Sequence, residues 1–331
     1  HSPLSLNILK FKRKTTFSLS RPFMSILLFA ILAAILFLLH AGVIVLIIGP
    51  LIILQPSRKR PEWYARFTNL LEPRDAGLPQ ETLTLTMEDG TPLHCWFVPR
   101  SSDAIGTILY LHGVGDCKIG GVALSRFFFS LGYNVFLYDS RQHGESGGRY
   151  CTYGYYEKHD VRRVIDYLET RKDVAIGPIG VFGTSMGAAI AIQAAVIEPR
   201  IRVVIAEASF TSLREIIVDY QRRIIKLPWH FLRNAAMART QRIAKFKGRD
   251  VSPLDDLARL RTPILFIHGT EDSFIRHEYS RQLFEAANEP KQLMMIEGAD
   301  HNDVWTVGGK RYQDTISTFL STYLTPAGKG P

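Results

Sequence analysis

A serine lies between two glycines in the pentapeptide Gly183–Gly187, which has the pattern G-x-S-x-G. An apolar run ending at Phe182 precedes it, and residues 188–195, rich in alanine and isoleucine at helical spacing, follow it. A serine on a tight turn between a strand and a helix has its hydroxyl exposed for attack, and glycines two positions away permit the strained backbone. The pattern therefore predicts that Ser185 is a nucleophile for acyl transfer.

A serine hydroxyl is a weak nucleophile that needs a base, and the base needs a third group to orient it. Two predicted strands downstream of Ser185 each open into a polar loop, the first containing Asp272 and the second His301. Since the carboxyl ends of parallel strands meet at one sheet edge, we expect all three side chains there, in the order nucleophile, acid, base. We predict Asp272 as the acid and His301 as the base, with Glu271 and Glu207 as alternative acids.

The tetrahedral intermediate of acyl transfer carries an oxyanion that needs backbone N–H donors. In a turn of this type, the residue after the nucleophile supplies one donor, which predicts the N–H of Met186. The second donor comes from the loop after an earlier strand, where residues 112–115 have the sequence His-Gly-Val-Gly. We predict that this second donor is the N–H of Val114.

Alternating strands and helices must position these residues. Residues 82–87 and 93–98 alternate around a turn and predict a β-hairpin, after which strand-like and helical segments alternate to about residue 323. This order predicts an α/β domain over residues 81–324, with a mostly parallel eight-stranded sheet and helices on both faces. Residues 208–252 fall between two strands and predict a small helical cap.

The ordered motifs resemble those of the α/β-hydrolase superfamily, and most of all its membrane-anchored serine hydrolases and monoacylglycerol-lipase-like members. Five motifs over about residues 80–324 carry the resemblance: His112-Gly113, Asp139–Ser146, Gly183–Gly187, His268–Asp272 and Gly298–His301. The resemblance implies the α/β-hydrolase fold, a Ser-His-Asp triad and an active-site floor shaped by Asp139–Ser146. Two positions depart from the family pattern: Gln142 stands where the family usually has glycine, and Thr184 where it often has an aromatic residue or histidine.

Residues 23–54 contain no formally charged side chain. A continuous helix over this stretch measures about 48 Å, more than a hydrocarbon core of roughly 30 Å. It predicts a tilted single-pass transmembrane anchor, with a shallow hairpin turning near residues 40–42 as the alternative. We expect a basic N-terminal segment over 1–22, a linker over 55–80 and a tail over 325–331. Basic residues flank both ends of the anchor almost equally, so the positive-inside rule leaves its orientation open.

The net charge of +9 is unevenly distributed along the chain. Residues 1–66 carry +8, residues 208–250 carry +7 and the remainder carries −6. Because one basic zone flanks the apolar segment, anionic lipid headgroups are the expected partner, and nucleic acid is not. Apolar and basic residues interleave over 216–233, which fits either a cap lying on the bilayer or an ordinary lid with a solvated basic face.

The three cysteines, Cys95, Cys117 and Cys151, show no spacing typical of a zinc site or a disulfide framework, which favours a reducing compartment. No metal or organic cofactor is implied. The expected protein is a membrane-anchored serine hydrolase that cleaves carboxylic esters or thioesters of acyl lipids through an acyl-enzyme. A peptidase or acyltransferase on the same triad, or a non-catalytic scaffold on a hydrolase fold, are the alternatives.

Overall fold

The computed structural model describes residues 21–100, 103–226 and 230–324. Nearly all of the predicted basic segment 1–22 lies outside the described residues, as do the predicted tail 325–331 and positions 227–229 of the predicted cap.

One eight-stranded sheet forms the centre of the described part of the chain. Its strands are β1 (Glu81–Thr86), β2 (Pro92–Val98), β3 (Gly106–Leu111), β4 (Tyr133–Tyr138), β5 (Ile179–Thr184), β6 (Ile201–Glu207), β7 (Ile264–Gly269) and β8 (Lys291–Ile296). Across the sheet the order is β1-β2-β4-β3-β5-β6-β7-β8. Strand β2 is antiparallel to both of its neighbours and the remaining pairs are parallel. The predicted leading hairpin and mostly parallel sheet are confirmed.

Helices alternate with the strands after the hairpin. The helices are α1 (Arg21–Val43), α2 (Gly49–Leu54), α3 (Pro61–Tyr64), α4 (Val122–Ser130), α5 (Glu157–Thr170), α6 (Met186–Ile197), α7 (Leu213–Tyr220), α8 (His230–Ala244), α9 (Pro253–Leu257), α10 (Glu278–Ala286) and α11 (Val304–Tyr323). The last of them kinks at Gly309, where φ is 50°.

Successive residues of a parallel strand point to opposite faces of the sheet, and here both faces are covered. In β3, Leu109 and Leu111 belong to the apolar cluster formed with α5, α6, α9 and α10. Their neighbours Ile108 and Tyr110 belong to the cluster formed with α4 and α11 on the other face. This near-continuous apolar character is typical of strands buried between two helical layers. With both faces covered, the site must lie at the edge of the sheet, where the strands end.

The apolar N-terminal helix is one continuous run. Helix α1 passes through a π-helical turn, Ile44–Ile48, into α2, so helical structure extends over Arg21–Leu54. Every residue over 21–40 is exposed, and this is the one helix in the described part of the chain that is long and apolar enough to cross a membrane. At 1.5 Å per residue the exposed part measures about 30 Å.

The C-terminal end of this helix packs on the α/β domain. Pro50, Ile53 and Leu54 are buried, and α2 lies against α8 of the cap. The two helices approach so closely that a Cβ atom on Gly49 would lie 2.6 Å from the Cβ of Ala236. A third apolar cluster joins the helix end, the cap and α6, and includes Leu54, Ala189, Phe210, Leu213, Ile216 and Phe246.

Candidate active site

Ser185 occupies the turn between β5 and α6, with φ 53° and ψ −116°. Its N–H donates to the carbonyl oxygen of Glu207 at 2.8 Å. A Cβ atom on Gly183 would overlap the backbone of Gly187, and one on Gly187 would overlap that of Leu111. Glycine is therefore required on both sides of the serine, and the turn has the strained strand-turn-helix geometry of a nucleophile elbow.

Asp272 and His301, which follow β7 and β8, are in direct contact. The Nδ1–H of His301 donates to Oδ2 of Asp272 at 2.7 Å. Because a carboxylate only accepts, this bond places the imidazole proton on Nδ1 and leaves Nε2 as the basic nitrogen. The arrangement is that of a base oriented by an acid.

Several donors converge on Asp272. Oδ2 also accepts from Nε2–H of His268 at 3.1 Å, and Oδ1 accepts from the N–H groups of Phe274 at 2.8 Å and Ile275 at 2.7 Å. Burial raises the pKa of Asp272, but the hydrogen bonds from His268 and His301 outweigh burial and hold the pKa below its ordinary value. Asp272 is therefore a fixed negative charge. The sequence analysis assigned no role to His268, although its position four residues before Asp272 could have indicated one.

The two alternative acids lie in different surroundings. Glu271 is exposed. Glu207 is buried at the end of β6, and its Oε2 accepts from the hydroxyl of Tyr312 at 2.6 Å. Burial raises the pKa of Glu207 to about 7, although the hydrogen bond from Tyr312 lowers it in part. Among the described residues, Asp272 is the carboxylate that hydrogen-bonds the His301 ring.

The Ser185 hydroxyl and the His301 ring belong to the same sheet edge but are not bonded to each other. Within the described residues, His301 bonds to Asp272 through its ring and to Asp300 through its backbone N–H. Catalytic hydrogen bonds of this kind often tighten only when substrate binds. The ring of Phe274, 45% exposed, lies with its centroid 5.5 Å from that of His301.

The loop after β3 passes beside the elbow. A Cβ atom on Gly113 would lie 3.3 Å from the Cβ of Ser185. The N–H of Ser140 donates to Nε2 of His112 at 2.9 Å, so Nδ1 of His112 carries the proton and donates to the Gly113 carbonyl oxygen at 2.8 Å. That carbonyl and the Val114 N–H belong to one trans peptide group and point in opposite directions. His112 therefore fixes the orientation of the predicted oxyanion donor.

The protonation state of His112 supports this orientation. Burial lowers the pKa of His112 to about 4, so the ring is neutral near pH 7 and keeps one donor and one acceptor nitrogen. The second predicted donor, the N–H of Met186, is at the first position of α6. First-turn N–H groups have no acceptor inside their own helix, so this group is available to a ligand.

The floor loop, Asp139–Ser146, is bound to the loop after β3. Asp139 accepts from the backbone N–H and the Nζ of Lys118, both at 2.7 Å, and from the N–H of Glu145 at 2.8 Å. Gln142, which departs from the glycine of the family pattern, has φ 64°. The backbone thus keeps the left-handed conformation that glycine adopts readily, and the departure changes the side chain alone.

The three cysteines are free thiols, and the Sγ of Cys151 lies 3.4 Å from the Sδ of Met186. Cys95, Cys117 and Cys151 are buried, and burial raises the pKa of both Cys95 and Cys117 to about 12. These thiols remain protonated and pack as small apolar side chains. In the part of the chain that the structure describes, no group of three or more His, Cys, Asp or Glu side chains is arranged to hold a metal ion.

Comparison with known proteins agrees with this geometry. Residues 108–308 match the Alpha/beta hydrolase family. The chain is similar to the uncharacterized protein YqkD of Bacillus subtilis, with 33% identity over 221 residues that cover 66% of this chain and 72% of that one. It is also similar to the alpha/beta hydrolase domain-containing protein WAV2 of Arabidopsis thaliana, with 26% identity over 260 residues, 76% of this chain and 82% of that one.

Among solved structures, the fold is similar to that of the Pyrococcus furiosus esterase Pf2001. The TM-score is 0.67 and the sequence identity 23%, over 82% of this chain and 98% of the esterase. At this identity the likeness shows a shared fold. The family match spans Ser185, Asp272 and His301. The chain therefore belongs to the alpha/beta hydrolase family.

Proposed function

We propose that the protein is a membrane-anchored serine hydrolase that cleaves carboxylic esters or thioesters of acyl lipids. Membership of a hydrolase family supports the general activity. The observation that carries the finer assignment is the hydrogen bond from His301 to Asp272, at the same sheet edge as a serine on a strained turn.

In the proposed mechanism, Oγ of Ser185 attacks the acyl carbonyl carbon and its proton passes to Nε2 of His301. The carboxylate of Asp272 stabilises the imidazolium that results. The N–H groups of Met186 and Val114 bind the oxyanion, a type of interaction whose loss costs about 10²–10³ in turnover. The imidazolium protonates the leaving alcohol or thiol, and the neutral ring then activates water, which releases the acyl group and restores the serine.

The proposed membrane anchor rests on the pattern of exposure along the N-terminal helix. The fully exposed stretch 21–40 measures about 30 Å, which matches a hydrocarbon core. Below it, from residue 41 to residue 54, the protein partly or wholly covers many of the side chains. A helix that is exposed over one bilayer thickness and partly covered beyond it fits a single-pass anchor docked on its own domain.

An acyl-lipid substrate is proposed because apolar side chains connect the anchor with the elbow. Leu54, at the end of the anchor, shares a buried cluster with Phe210 and with Ala189, one turn along α6 from Ser185. Phe274 adds an exposed aromatic ring next to the base. In this proposal, an acyl chain leaving the bilayer beside the anchor reaches the nucleophile through this apolar region.

Anionic lipid headgroups are the proposed partner of the segment that follows the anchor. Trp63 and Phe67 are 39% and 72% exposed, with their ring centroids 5.0 Å apart. Arg60 and Arg66 are exposed next to them in the chain. Exposed aromatic rings combined with arginines are typical of protein surfaces at a bilayer interface.

Fluorophosphonate labelling of the full-length protein in membranes tests the nucleophile. Wild type, Ser185→Ala and the control Ser130→Ala, an exposed serine at the end of α4, would be labelled and assayed on nitrophenyl esters of short, medium and long acyl chains. We expect labelling and turnover in wild type and the control, neither in Ser185→Ala, and a preference for longer chains.

Each measurement can contradict a different part of the proposal. Folded wild type that neither labels nor turns over any ester would exclude the hydrolase assignment. Turnover that falls steadily with acyl length would exclude acyl lipids as substrates while leaving the serine mechanism intact. Recovery of the protein in the soluble fraction after high-salt extraction would exclude the anchor.

A further inference from the structure

The chain that leaves the apolar helix crosses the loop after β3 on its way to α3. This 55–60 segment is hydrogen-bonded there: the N–H of Lys59 donates to the carbonyl oxygen of Gly115 at 3.0 Å. The carbonyl oxygen of Ser57 lies so close that a Cβ atom on Gly115 would be 3.1 Å from it. The Nζ of Lys59 is 3.7 Å from Oδ1 of Asp116. The loop that carries Val114 is therefore bound from outside by the segment that follows the anchor.

Arg58 binds the second loop of the site. Its Nη2 donates to Oε1 of Gln142 at 2.6 Å, and its Nη1 donates to the carbonyl oxygens of Ser146 at 3.1 Å and Gly144 at 3.4 Å. One side chain thus bonds to three residues of the floor loop. Arg58 and Lys59, adjacent in sequence, bind the two loops that border the elbow.

The backbone of Gln142 is strained at the position where its side chain binds Arg58. Its φ of 64° is in the left-handed region that favours glycine, so the glutamine holds a conformation that its Cβ disfavours. Strained residues persist where neighbouring groups hold them, and they concentrate at functional sites. Here the side chain that causes the strain is the one that accepts from Arg58.

We propose that Arg58 and Lys59 are positioning residues of the oxyanion hole, so that the segment joining the anchor to the domain is part of the active site. The proposal rests on the proposed function, because it requires the Val114 N–H to bind an oxyanion. His112 orients the peptide group of Gly113 and Val114 from inside the protein. Lys59 restrains the same loop two residues further on, at Gly115, from outside.

A purely structural role for the 55–60 segment predicts different behaviour. If the segment only attached the helix, breaking its hydrogen bonds would lower thermal stability and leave kcat unchanged in the folded molecules. If it positions the oxyanion hole, kcat falls and KM does not, because the lost interaction is made only in the transition state. The change in kcat, compared with the change in thermal stability, therefore distinguishes a positioning role from a structural one.

The experiment uses the full chain in detergent micelles, with nitrophenyl butyrate as a short substrate that needs no bilayer. Lys59→Pro removes the N–H that binds Gly115, and Lys59→Ala keeps it. Arg58→Ala removes the bonds to the floor loop, Arg58→Lys restores a cation, and Arg126→Ala, at an exposed arginine of α4, is the control.

We expect Lys59→Pro to lower kcat by about 10- to 100-fold, below the cost of deleting an oxyanion donor. Lys59→Ala should lose far less, and KM should be unchanged in both variants. Arg58→Ala should lower kcat less than Lys59→Pro, Arg58→Lys should recover part of that loss, and Arg126→Ala should match wild type. The rate of fluorophosphonate labelling should fall in proportion to kcat.

Gln142→Gly completes the design with a variant that relieves backbone strain and should fold well. In this background Arg58→Ala should cost less than in wild type, because one bond of Arg58 is already missing. Wild-type kcat in both folded Lys59→Pro and Arg58→Ala would overturn the inference while leaving the hydrolase assignment standing. An inactive wild type would instead overturn the proposed function, so the two failures are distinguishable.

Discussion

The Nδ1–H of His112 donates to the carbonyl oxygen of Gly113 at 2.8 Å. The two residues are adjacent in the chain, so the bond orients a single peptide group and does not join distant elements. Because the Gly113 carbonyl and the Val114 N–H belong to one trans peptide group, the Val114 N–H must point away from the imidazole. A fully buried ring can in this way set the direction of the predicted oxyanion donor.

Replacement of His112 tests this relationship. His112→Phe removes both ring nitrogens and should lower kcat by about 10-fold or more with KM unchanged, since one donor of the hole loses its orientation. His112→Asn keeps a donor near the position of Nδ1 and should retain more activity. Steady-state kinetics on a short nitrophenyl ester, with Tm measured in parallel, checks both. A lower Tm with unchanged kcat in His112→Phe would show that the ring acts on stability alone.

Asp272 should be essential to turnover and should not titrate in the physiological range. Asp272→Asn should lower kcat by roughly 10³–10⁴, because the imidazole loses its oriented tautomer. The pKa of Asp272 lies below its ordinary value, so its stabilising contribution is present above the unfolded pKa near 4 and is lost as pH falls through the folded pKa. Denaturation of wild type and Asp272→Asn should therefore differ more at pH 7 than at pH 3. Glu271→Gln, at the exposed neighbour, should match wild type at both.

Glu207 should titrate near neutrality and make stability depend on pH in the opposite sense. Burial raises its pKa to about 7. A raised folded pKa gives stability that is full below the unfolded pKa near 4 and is lost as pH rises through 7. The free energy of unfolding of wild type, measured by chemical denaturation, should thus fall relative to that of Glu207→Gln between pH 5 and pH 8, by a few kcal/mol at most at 1.36 kcal/mol per pKa unit. Parallel curves for the two proteins would contradict this assignment.

Two glycines of the N-terminal helix provide a matched test of its docking. A side chain on Gly49 would meet Ala236 of α8, whereas a Cβ atom on Gly42 has nothing within 4 Å. Gly49→Leu should destabilise the protein by about 1–3 kcal/mol, as overpacking does, and Gly42→Leu should not. Thermal unfolding in detergent compares the two. Equal effects would mean that the helix and the cap are not packed as described.

Much of the architecture was predictable from local pattern. Strands such as β3 and β7 are short apolar runs bounded by glycine and polar loops, and the order of the motifs fixed which sheet edge would carry Ser185, Asp272 and His301. The catalytic roles of these residues, and of Val114 and Met186, stay predictions, now with a geometry that can be tested.

What the sequence could not provide was the set of contacts between distant segments. Arg58 and Gln142 are 84 positions apart, and nothing in the composition of the 55–80 stretch distinguishes a free linker from one bound to the site. The role of His268 depends in the same way on how its ring faces Asp272, which is decided by packing in the loop after β7. Tertiary contacts of this kind are set by the whole fold rather than by any window of the chain.

The partly covered stretch of the apolar helix, residues 41–54, is about 21 Å long at 1.5 Å per residue. With the proposed anchor in place, this stretch is a spacer that holds Ser185 at a fixed height over one leaflet. An enzyme anchored in this way diffuses in the plane of the membrane, and it reaches only those ester bonds that come to the height of its serine. Selectivity among lipids would then depend on how far each ester can be lifted from its leaflet, as well as on the shape of the pocket.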